Sequence, residues 1–261
     1  MPASSMTPDD WIVPDWPAPG CVRAVVTSRH GGVSRGAFTS MNPADHVGDE
    51  PAAVAANRRR LEQRLQLPAA PLWLQQVHGA TAVDAAAPGG MLQADGAYAC
   101  QPGVVCAVLT ADCLPLLLCD RAGTCVAAAH AGWRGLAAGV IEQTVVTMGL
   151  PGSELLAWLG PAIGPTAYRV GSEVRDTFVA HDAQAAMAFS RTSDGSWQAD
   201  LYHLARQRLA GCGVHAVSGG DHCTFTESER FFSYRRDGVT GRIASLIWLE
   251  DRSPGDDAGR V

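Results

Sequence analysis

Three apolar runs near the middle of the chain constrain the fold most. They span Val104–Thr110, Leu114–Cys119 and Thr124–Ala129, and they are rich in the aliphatic residues that favour strands. Their nearly continuous apolar character predicts strands buried on both faces, because a strand with one solvated face alternates apolar and polar residues. The Asp-Arg-Ala-Gly connection between the second and third runs predicts a hairpin.

Helical and further strand patterns surround these runs. Pro51 opens a helix that continues to Leu65, an apolar-periodic helix spans Leu136–Met148, and Asp200 caps a helix that ends at a glycine. A further helix is predicted from an N-cap at Ser172 to Val179. The remaining predicted strands are Cys21–Ser28, Leu72–Val77, Thr81–Asp84, Leu155–Leu159, Val214–Val217 and Ile243–Leu249. Because strands and helices mix without strict βαβ alternation, we predict an α+β fold with mixed sheets rather than a doubly wound one.

The chain length predicts one large domain. With 261 residues, of which 47% are hydrophobic, the chain can bury a core of its own. We expect an N-terminal extension at 1–20, the folded domain at 21–250 and a polar C-terminal tail at 251–261. Pro88-Gly89-Gly90 is predicted to be a turn.

The charged residues exclude several kinds of chemistry. The chain contains no lysine, so all 20 basic residues are arginine, and a Schiff base or a P-loop lysine is ruled out. The net charge of −6 argues against a nucleic-acid partner, which a basic face would bind. The longest apolar stretch is broken by Asp112 and Pro115, so no membrane span is expected. The first 20 residues lack the pattern of a signal peptide, and we expect a cytoplasmic protein with eight free thiols.

Two histidines and a cysteine lie where predicted strands end. His78 follows a strand and precedes a glycine, Cys113 lies in the polar break Thr-Ala-Asp-Cys, and His130 stands before the Gly-Trp-Arg-Gly turn. Three such ligands with one open position form the pattern of a catalytic zinc site. Their spacing matches no compact motif, however, so histidines satisfied within the core remain an alternative at this stage. Cys100, Cys106, Cys119 and Cys125 fall in apolar runs and are interpreted as buried hydrophobes.

Other polar residues in loops are candidates for binding a substrate. The Gly132–Gly135 turn offers backbone N–H groups and the Arg134 guanidinium to an anion, although a tight turn with a packed tryptophan gives the same pattern. The further loop candidates are Arg29, Asn42, His46, Asp95, Arg235 and Arg236. Of these, His46 and Asp95 are the candidates for moving a proton.

The motifs themselves resemble a known family. SRHGGVS, QQVHG, TADCLP, HAGWRG, WLGPAIGP and CTFTESERFFSYRRD occur in the order found in the YfiH family, and the resemblance runs from Cys21 to Leu249. Members of this family have been described as polyphenol oxidases or laccases and as purine nucleoside phosphorylases. The resemblance implies a single domain with a CNF1/YfiH-like layered α/β/β/α sandwich. It also implies one zinc ion held by His78, Cys113 and His130.

The resemblance implies phosphorolysis of adenosine, inosine, guanosine and methylthioadenosine, and deamination of adenosine. A nucleoside and phosphate are therefore the expected partners, with zinc as the cofactor and Cu²⁺ as a second metal that a Cys–His site could hold. A non-catalytic metal-binding or partner module is one alternative, and two other enzymatic functions also remain open. One is a copper-dependent polyphenol oxidase, which a chain with eight histidines and no His-x-His pair makes doubtful. The other is a Cys–His hydrolase or amidase acting on a cell-wall precursor, with Cys113 as nucleophile and His130 as base.

Overall fold

The computed structural model describes residues 10–87 and 92–251. The predicted turn at 88–90 lies outside the described residues, as do 1–9 and 252–261, which are parts of the two predicted terminal segments. Within the described residues, no helix is both long and apolar enough to cross a membrane.

Most strands match the predicted runs, and several short strands add to them. They are β1 (Val22–Val26), β2 (Ala82–Asp84), β3 (Gly96–Ala99), β4 (Val105–Thr110), β5 (Leu114–Asp120), β6 (Val126–Ala131), β7 (Leu155–Leu159), β8 (Arg169–Val170), β9 (Phe189–Arg191), β10 (Trp197–Ala199), β11 (Ala216–Gly219) and β12 (Ile243–Leu249). The three central strands, β4, β5 and β6, are buried at every position, as the continuous apolar runs predict. The prediction of a strand at Leu72–Val77 is wrong, because this segment makes only isolated bridges at Leu72 and Gln75.

The helices are short, and most of them lie in the second half of the chain. They are α1 (Pro51–Leu65), α2 (Trp133–Ala138), α3 (Val140–Met148), α4 (Ser172–His181), α5 (Leu201–Gly211) and α6 (Tyr234–Asp237), with 3₁₀ turns at Gly36–Phe38, Gly152–Glu154 and Ala183–Ala188. One prediction is wrong here, because the single helix expected over Leu136–Met148 is two helices. Gly139 separates α2 from α3 with φ = 93°, a left-handed conformation that glycine adopts without steric cost.

The sheets form two layers with helices outside them. A sheet of order β11-β7-β5-β6-β3-β2 packs against an antiparallel sheet of order β1-β12-β4. A third, small sheet of order β8-β10-β9 shares the hydrophobic core on the helical side of the large sheet. Leu117, Val126 and Trp158 of the large sheet share a core with Val26 and Ile247 of the smaller one. The other face of the large sheet packs under α2 to α5, and α1 covers the outer face of the smaller sheet. This α/β/β/α arrangement confirms the predicted α+β sandwich.

Two of the cysteines do not behave as predicted. Cys100 and Cys125 form a disulfide, so the expectation of eight free thiols is wrong. Cys125 is buried as expected, whereas Cys100 is exposed. The cause of the disulfide is the register of β3 and β6, in which Ala99 pairs with Val126, so the next residues outward face each other. Cys106 and Cys119 are free and fully buried, as expected.

The Tyr202 hydroxyl fastens α5 to the loop that follows β7. It accepts a hydrogen bond from the Ala162 amide at 2.8 Å and donates to the His222 carbonyl at 2.6 Å. Replacing Tyr202 with phenylalanine leaves both backbone groups without this partner in the core. We expect the free energy of unfolding to fall by about 1–3 kcal/mol, measured by denaturant titration. Tyr98→Phe, a hydroxyl removed on β3, is the control, and equal stability of the two variants would contradict the prediction.

Candidate metal centre

The register of three strands brings most of the candidate centre together. In the β5–β6 pair Leu114 lies opposite Ala131, so Cys113 and Gly132 meet just beyond the strand ends. In the β3–β6 pair Gly96 lies opposite Ala129, which sets Asp95 opposite His130. The His130 amide donates to the Asp95 carbonyl at 2.6 Å. One edge of the large sheet therefore carries a thiol, an imidazole and a carboxylate.

His78 reaches the same edge from the segment before β2. The side chain of Gln76 pairs with the backbone of Leu109 through two hydrogen bonds of 2.8 Å, which holds this segment against the end of β4. His78 itself has φ = 59°, a left-handed conformation that is uncommon for a residue with a side chain. The surrounding contacts must hold it there, and such residues cluster at functional sites.

The three candidate ligands converge closely. One ligand atom from each of His78, Cys113 and His130 lies within 4.8 Å of the other two, and this is the one group of three or more metal-ligating side chains among the described residues. Cys113 Sγ lies 4.0 Å from His78 Nε2. Gly132 leaves the space for this cluster, because a Cβ there would stand 2.8 Å from Cys113 Sγ and 3.1 Å from His78 Cδ2.

Asp95 holds both histidines of the cluster in place through hydrogen bonds. Its carboxylate is fully buried and accepts a 2.8 Å hydrogen bond from His130 Nδ1. The same carboxylate accepts bonds from the amides of Val77, His78 and Gly79 at 2.6–3.2 Å. Burial alone would raise the pKa of Asp95, but these hydrogen bonds outweigh it and hold the pKa below its ordinary value. One carboxylate thus orients one histidine and fixes the loop that carries the other.

The thiol and the imidazole form a charged pair. Burial raises the pKa of Cys113, but the His130 charge and hydrogen bonds from both histidines outweigh it and lower the pKa to about 6. Burial likewise lowers the pKa of His130, while Cys113 and Asp95 outweigh that and raise it to about 9. Cys113 is therefore a thiolate near neutral pH, the form that binds metals and attacks electrophiles.

These residues fit a zinc-type site. A thiolate and two imidazoles are ligands that zinc and copper both accept, and three protein ligands leave a coordination position for a reactant. His130 donates its Nδ1–H to a carboxylate, which leaves Nε2 facing the Cys113 thiolate as the nitrogen that would bind a metal, an arrangement typical of metal-bound histidine. The same groups also correspond to the thiolate, imidazole and carboxylate of a cysteine hydrolase.

Asp112, the residue before Cys113, ties two loops to the centre. It has φ = 85° and is buried. Its two carboxylate oxygens accept bonds of 2.6 Å from the Thr224 hydroxyl and from the Arg235 amide. The polar break that interrupts the apolar runs therefore anchors the walls of the site as well as presenting Cys113.

Asn42 and His46 both lie near Arg242, a residue that the sequence motifs did not single out. The buried Asn42 side chain accepts from the Arg242 amide at 3.0 Å and also bonds to the backbone of Ala44. Arg242 is close enough to Cys113 and Asp112 for their charges to raise its pKa, although burial outweighs them and lowers it. The exposed His46 is near Arg242 in turn, since burial and the Arg242 charge lower the pKa of His46. Asn42 thus holds the backbone of the site's rim, with its own side chain enclosed.

The arginine candidates differ in how their guanidinium groups are used. Arg29 bonds to the Thr39 and Ser228 carbonyls and makes no hydrogen bond or ion pair with the cluster among the described residues. Arg236 is bound to three backbone carbonyls and to Asp237. Arg134 is exposed, stacks at 4.6 Å on the Trp133 ring, and makes no hydrogen bond or ion pair with any described residue. Arg134 is therefore the candidate whose guanidinium is free for an anionic ligand.

Comparison with known proteins agrees with the motifs. A family model described as multi-copper polyphenol oxidoreductase laccase matches residues 23–250. The chain belongs to this family. The chain is similar to "Purine nucleoside phosphorylase PA4543" of Pseudomonas aeruginosa, 59% identical over 92% of this chain and 99% of that protein. "Purine nucleoside phosphorylase YfiH" of Escherichia coli K12 is 55% identical over 91% of this chain and 98% of that one.

Solved structures of the family have the same fold. The Neisseria meningitidis protein NMB0706 superposes with a TM-score of 0.90 at 51% identity, covering 93% of this chain and all of that one. YlmD from Geobacillus stearothermophilus superposes with a TM-score of 0.87 at 32% identity, covering 93% and 97% of the two chains. The predicted membership of the YfiH family is confirmed.

Two residues at the site were not singled out from the sequence. Asp112 was visible only as part of the break before Cys113, and Arg242 immediately precedes the predicted strand Ile243–Leu249. The one signal in the sequence was position, since Asp112 and Arg242 each lie next to the end of a predicted strand.

Proposed function

We propose that the protein is a metal-dependent purine nucleoside phosphorylase acting on adenosine, inosine, guanosine and methylthioadenosine. The observation that carries the proposal is the convergence of His78, Cys113 and His130 beside a free guanidinium, in a chain whose curated relatives are named purine nucleoside phosphorylases. His78, Cys113 and His130 would hold the metal, with zinc as the proposed ion. Zinc there would supply Lewis-acid chemistry, polarising an oxygen of the bound reactants.

The residues around the ligands supply binding and orientation. Arg134 would bind inorganic phosphate, since a guanidinium forms two parallel hydrogen bonds to a phosphate and this one has no competing acceptor among the described residues. Gly132 has no Cβ, which lets the Cys113 and His78 side chains lie against this turn. Holding phosphate and nucleoside together converts their encounter into a reaction within one complex, which lowers the entropic part of the barrier.

Proton transfer to the leaving purine falls to His46 in this proposal. Asp95, the other candidate, is enclosed and already accepts four hydrogen bonds, so it acts by positioning His78 and His130. His46 is exposed on the rim of the site near Arg242, where the purine of a bound nucleoside could reach it. We propose that the same site also deaminates adenosine. In that reaction His78, Cys113 and His130 would again hold the metal, and His46 would again transfer a proton.

The ligand count weighs against the multicopper oxidase in the family's description. A blue multicopper oxidase needs a histidine-rich trinuclear cluster in addition to a Cys–His₂ site. All eight histidines lie within the described residues, and only His78 and His130 share a cluster of three ligating side chains there. A single copper ion in the Cys–His₂ site is compatible with these residues, whereas a cluster of further coppers is not.

One observation favours a second candidate, a cysteine hydrolase or amidase. Cys113, His130 and Asp95 lie in the order thiol, imidazole, carboxylate, and the 2.8 Å bond from His130 to Asp95 orients the ring as a base requires. In this reading the Cys113 thiolate attacks the substrate directly. The two candidates differ in whether activity depends on metal or on a free thiol.

The deciding experiment is a nucleoside panel assayed with and without inorganic phosphate, together with elemental analysis of the purified protein. We expect about one zinc ion per chain. We also expect release of free base and ribose 1-phosphate only when phosphate is present, with activity lost on chelation. Arg134→Ala should raise the KM for phosphate by roughly 10–100-fold, the effect of losing a hydrogen bond to a charged group, while zinc stays bound.

Two variants serve as controls for this experiment. His78→Ala removes a proposed ligand and should lose both zinc and turnover, while His181→Ala removes an exposed histidine of α4 and should change neither. A metal-free protein that iodoacetamide inactivates would establish the hydrolase instead. Base release that does not require phosphate would reject phosphorolysis.

A further inference from the structure

Two equally buried tyrosines of this protein use their hydroxyl groups very differently. Tyr168 and Tyr202 are each 8% exposed. The Tyr202 hydroxyl bonds to the backbone at Gly160, Ala162 and His222. The Tyr168 hydroxyl makes no hydrogen bond with any residue of the described ranges. The Tyr168 residue is largely buried, but its hydroxyl oxygen is not among the enclosed unpaired atoms of the described residues and stays open to solvent, so its donor is available to a ligand.

Tyr168 is tied to the centre through Arg235. The Arg235 guanidinium lies over the Tyr168 ring at 5.3 Å, and its Nη1 donates to the Arg169 carbonyl at 2.7 Å. The Arg235 amide donates to the Asp112 carboxylate at 2.6 Å, and Asp112 precedes Cys113. The tyrosine ring, the guanidinium and the proposed metal ligand therefore belong to one connected wall.

The charges around Tyr168 indicate the kind of ligand. Burial raises the pKa of its hydroxyl far above the ordinary value, so the group stays protonated and can donate. Cys113 and Asp112 raise this pKa further, while Arg235, which lies over the ring, and Arg134 lower it. A donor beside two guanidinium groups suits an oxyanion, because an oxyanion offers acceptors to all three.

We propose that Tyr168 is a substrate-contacting residue whose hydroxyl donates a hydrogen bond to an oxygen of bound phosphate, beside Arg134 and Arg235. This inference rests on the proposed phosphorolysis and adds one residue to it. The Arg235 guanidinium, which lies over the Tyr168 ring, would pair with the same phosphate. Neutral ribose hydroxyls match this place less well, because guanidinium groups donate only and are best paired with negative oxygens.

Tyr168→Phe tests the proposal with little disturbance of the fold. The phenyl ring retains its packing under Arg235, and no hydrogen bond to the described protein is lost, so the melting temperature should stay within about 2 °C of the wild type. The KM for phosphate should rise by roughly 10–100-fold while the KM for the nucleoside changes by less than about twofold. Calorimetric titration with inorganic phosphate should show the same weakening without turnover. Tyr98→Phe is the matched control and should leave all four quantities unchanged.

The outcomes separate this inference from the proposed function. An unchanged KM and an unchanged calorimetric affinity for phosphate would overturn the role of Tyr168. A rise confined to the KM for the nucleoside would also overturn it, by placing the hydroxyl on the ribose or base. If the wild-type protein shows no phosphate-dependent turnover, the proposed function fails, while the calorimetric comparison of wild type and Tyr168→Phe still decides whether the tyrosine belongs to an oxyanion site.

Discussion

Replacing Cys113 with serine should remove the bound metal and the activity together. A serine hydroxyl is a poor ligand because it stays protonated at neutral pH, whereas Cys113, with its pKa lowered to about 6, is an anion there. Metal catalysis supplies several kcal/mol of transition-state stabilisation, so we expect turnover to fall on the order of 10³-fold. The measurements are elemental analysis of the variant and its rate on the preferred nucleoside at saturating phosphate.

The loss of metal should also be visible in stability. A ligand that binds only the folded state stabilises it, so chelation should lower the melting temperature of the wild type. The same treatment should leave Cys113→Ser unchanged, because that variant has no bound metal to lose. Cys212→Ser, a free and half-buried thiol on the far end of α5, is the control and should respond to the chelator as the wild type does.

Two other results for Cys113→Ser would be informative in opposite directions. A variant that keeps its metal and its activity would show that the thiol is not a ligand and that the proposed site is wrong. A variant that keeps its metal and loses activity would assign Cys113 the role of nucleophile. The hydrolase candidate predicts that the variant loses activity with no change in metal content, because its thiolate attacks the substrate and the wild type itself holds no zinc.

The sequence predicted best those elements whose signals are local. The helix at Pro51–Leu65 and the strands at Leu155–Leu159 and Ile243–Leu249 have the predicted bounds, because a proline fixes the first and continuous apolar runs fix the others. β3 was missed, since Gly-Ala-Tyr-Ala carries little strand signal and is held by pairing with β6. The disulfide was missed for the same reason, because it depends on the register between two strands.

In the candidate centre, too, the sequence predicted what has a local signal and missed what depends on tertiary contacts. Position at the ends of strands and the family motifs pointed to His78, Cys113 and His130, and the structure brings these three side chains together. The roles around them depend on tertiary contacts that no local pattern encodes. Asn42 and Asp95 are polar residues in loops, and the sequence predicts that such residues are available to a ligand. In the structure both side chains are buried and accept hydrogen bonds from backbone amides. Their orientation follows from chain segments far away in sequence.

Asp95→Asn is the variant that tests how far such enclosed residues control the centre. An amide retains the size of the carboxylate but offers one acceptor oxygen in place of two. It cannot accept from His130 Nδ1 and from the three amides at Val77, His78 and Gly79 at once. At least one donor would meet the NH₂ group, so the loop that carries His78 should shift and His130 should lose its fixed orientation.

We expect this variant to bind metal roughly 10–100-fold more weakly, the range found when a partner of a ligating histidine is removed. The affinity can be measured by competition with a chelator, which reports on the centre without any turnover. Asp84→Asn is the matched control, since Asp84 also accepts from a backbone amide at the end of a strand but is exposed and outside the cluster. The position of the two Asp95 acceptor oxygens should matter more than the charge of the side chain. Asp95→Glu keeps the charge but lengthens the side chain in a filled space. We therefore expect Asp95→Glu to weaken metal binding as well. Full affinity in both Asp95 variants would show that the backbone alone sets the positions of the two histidines.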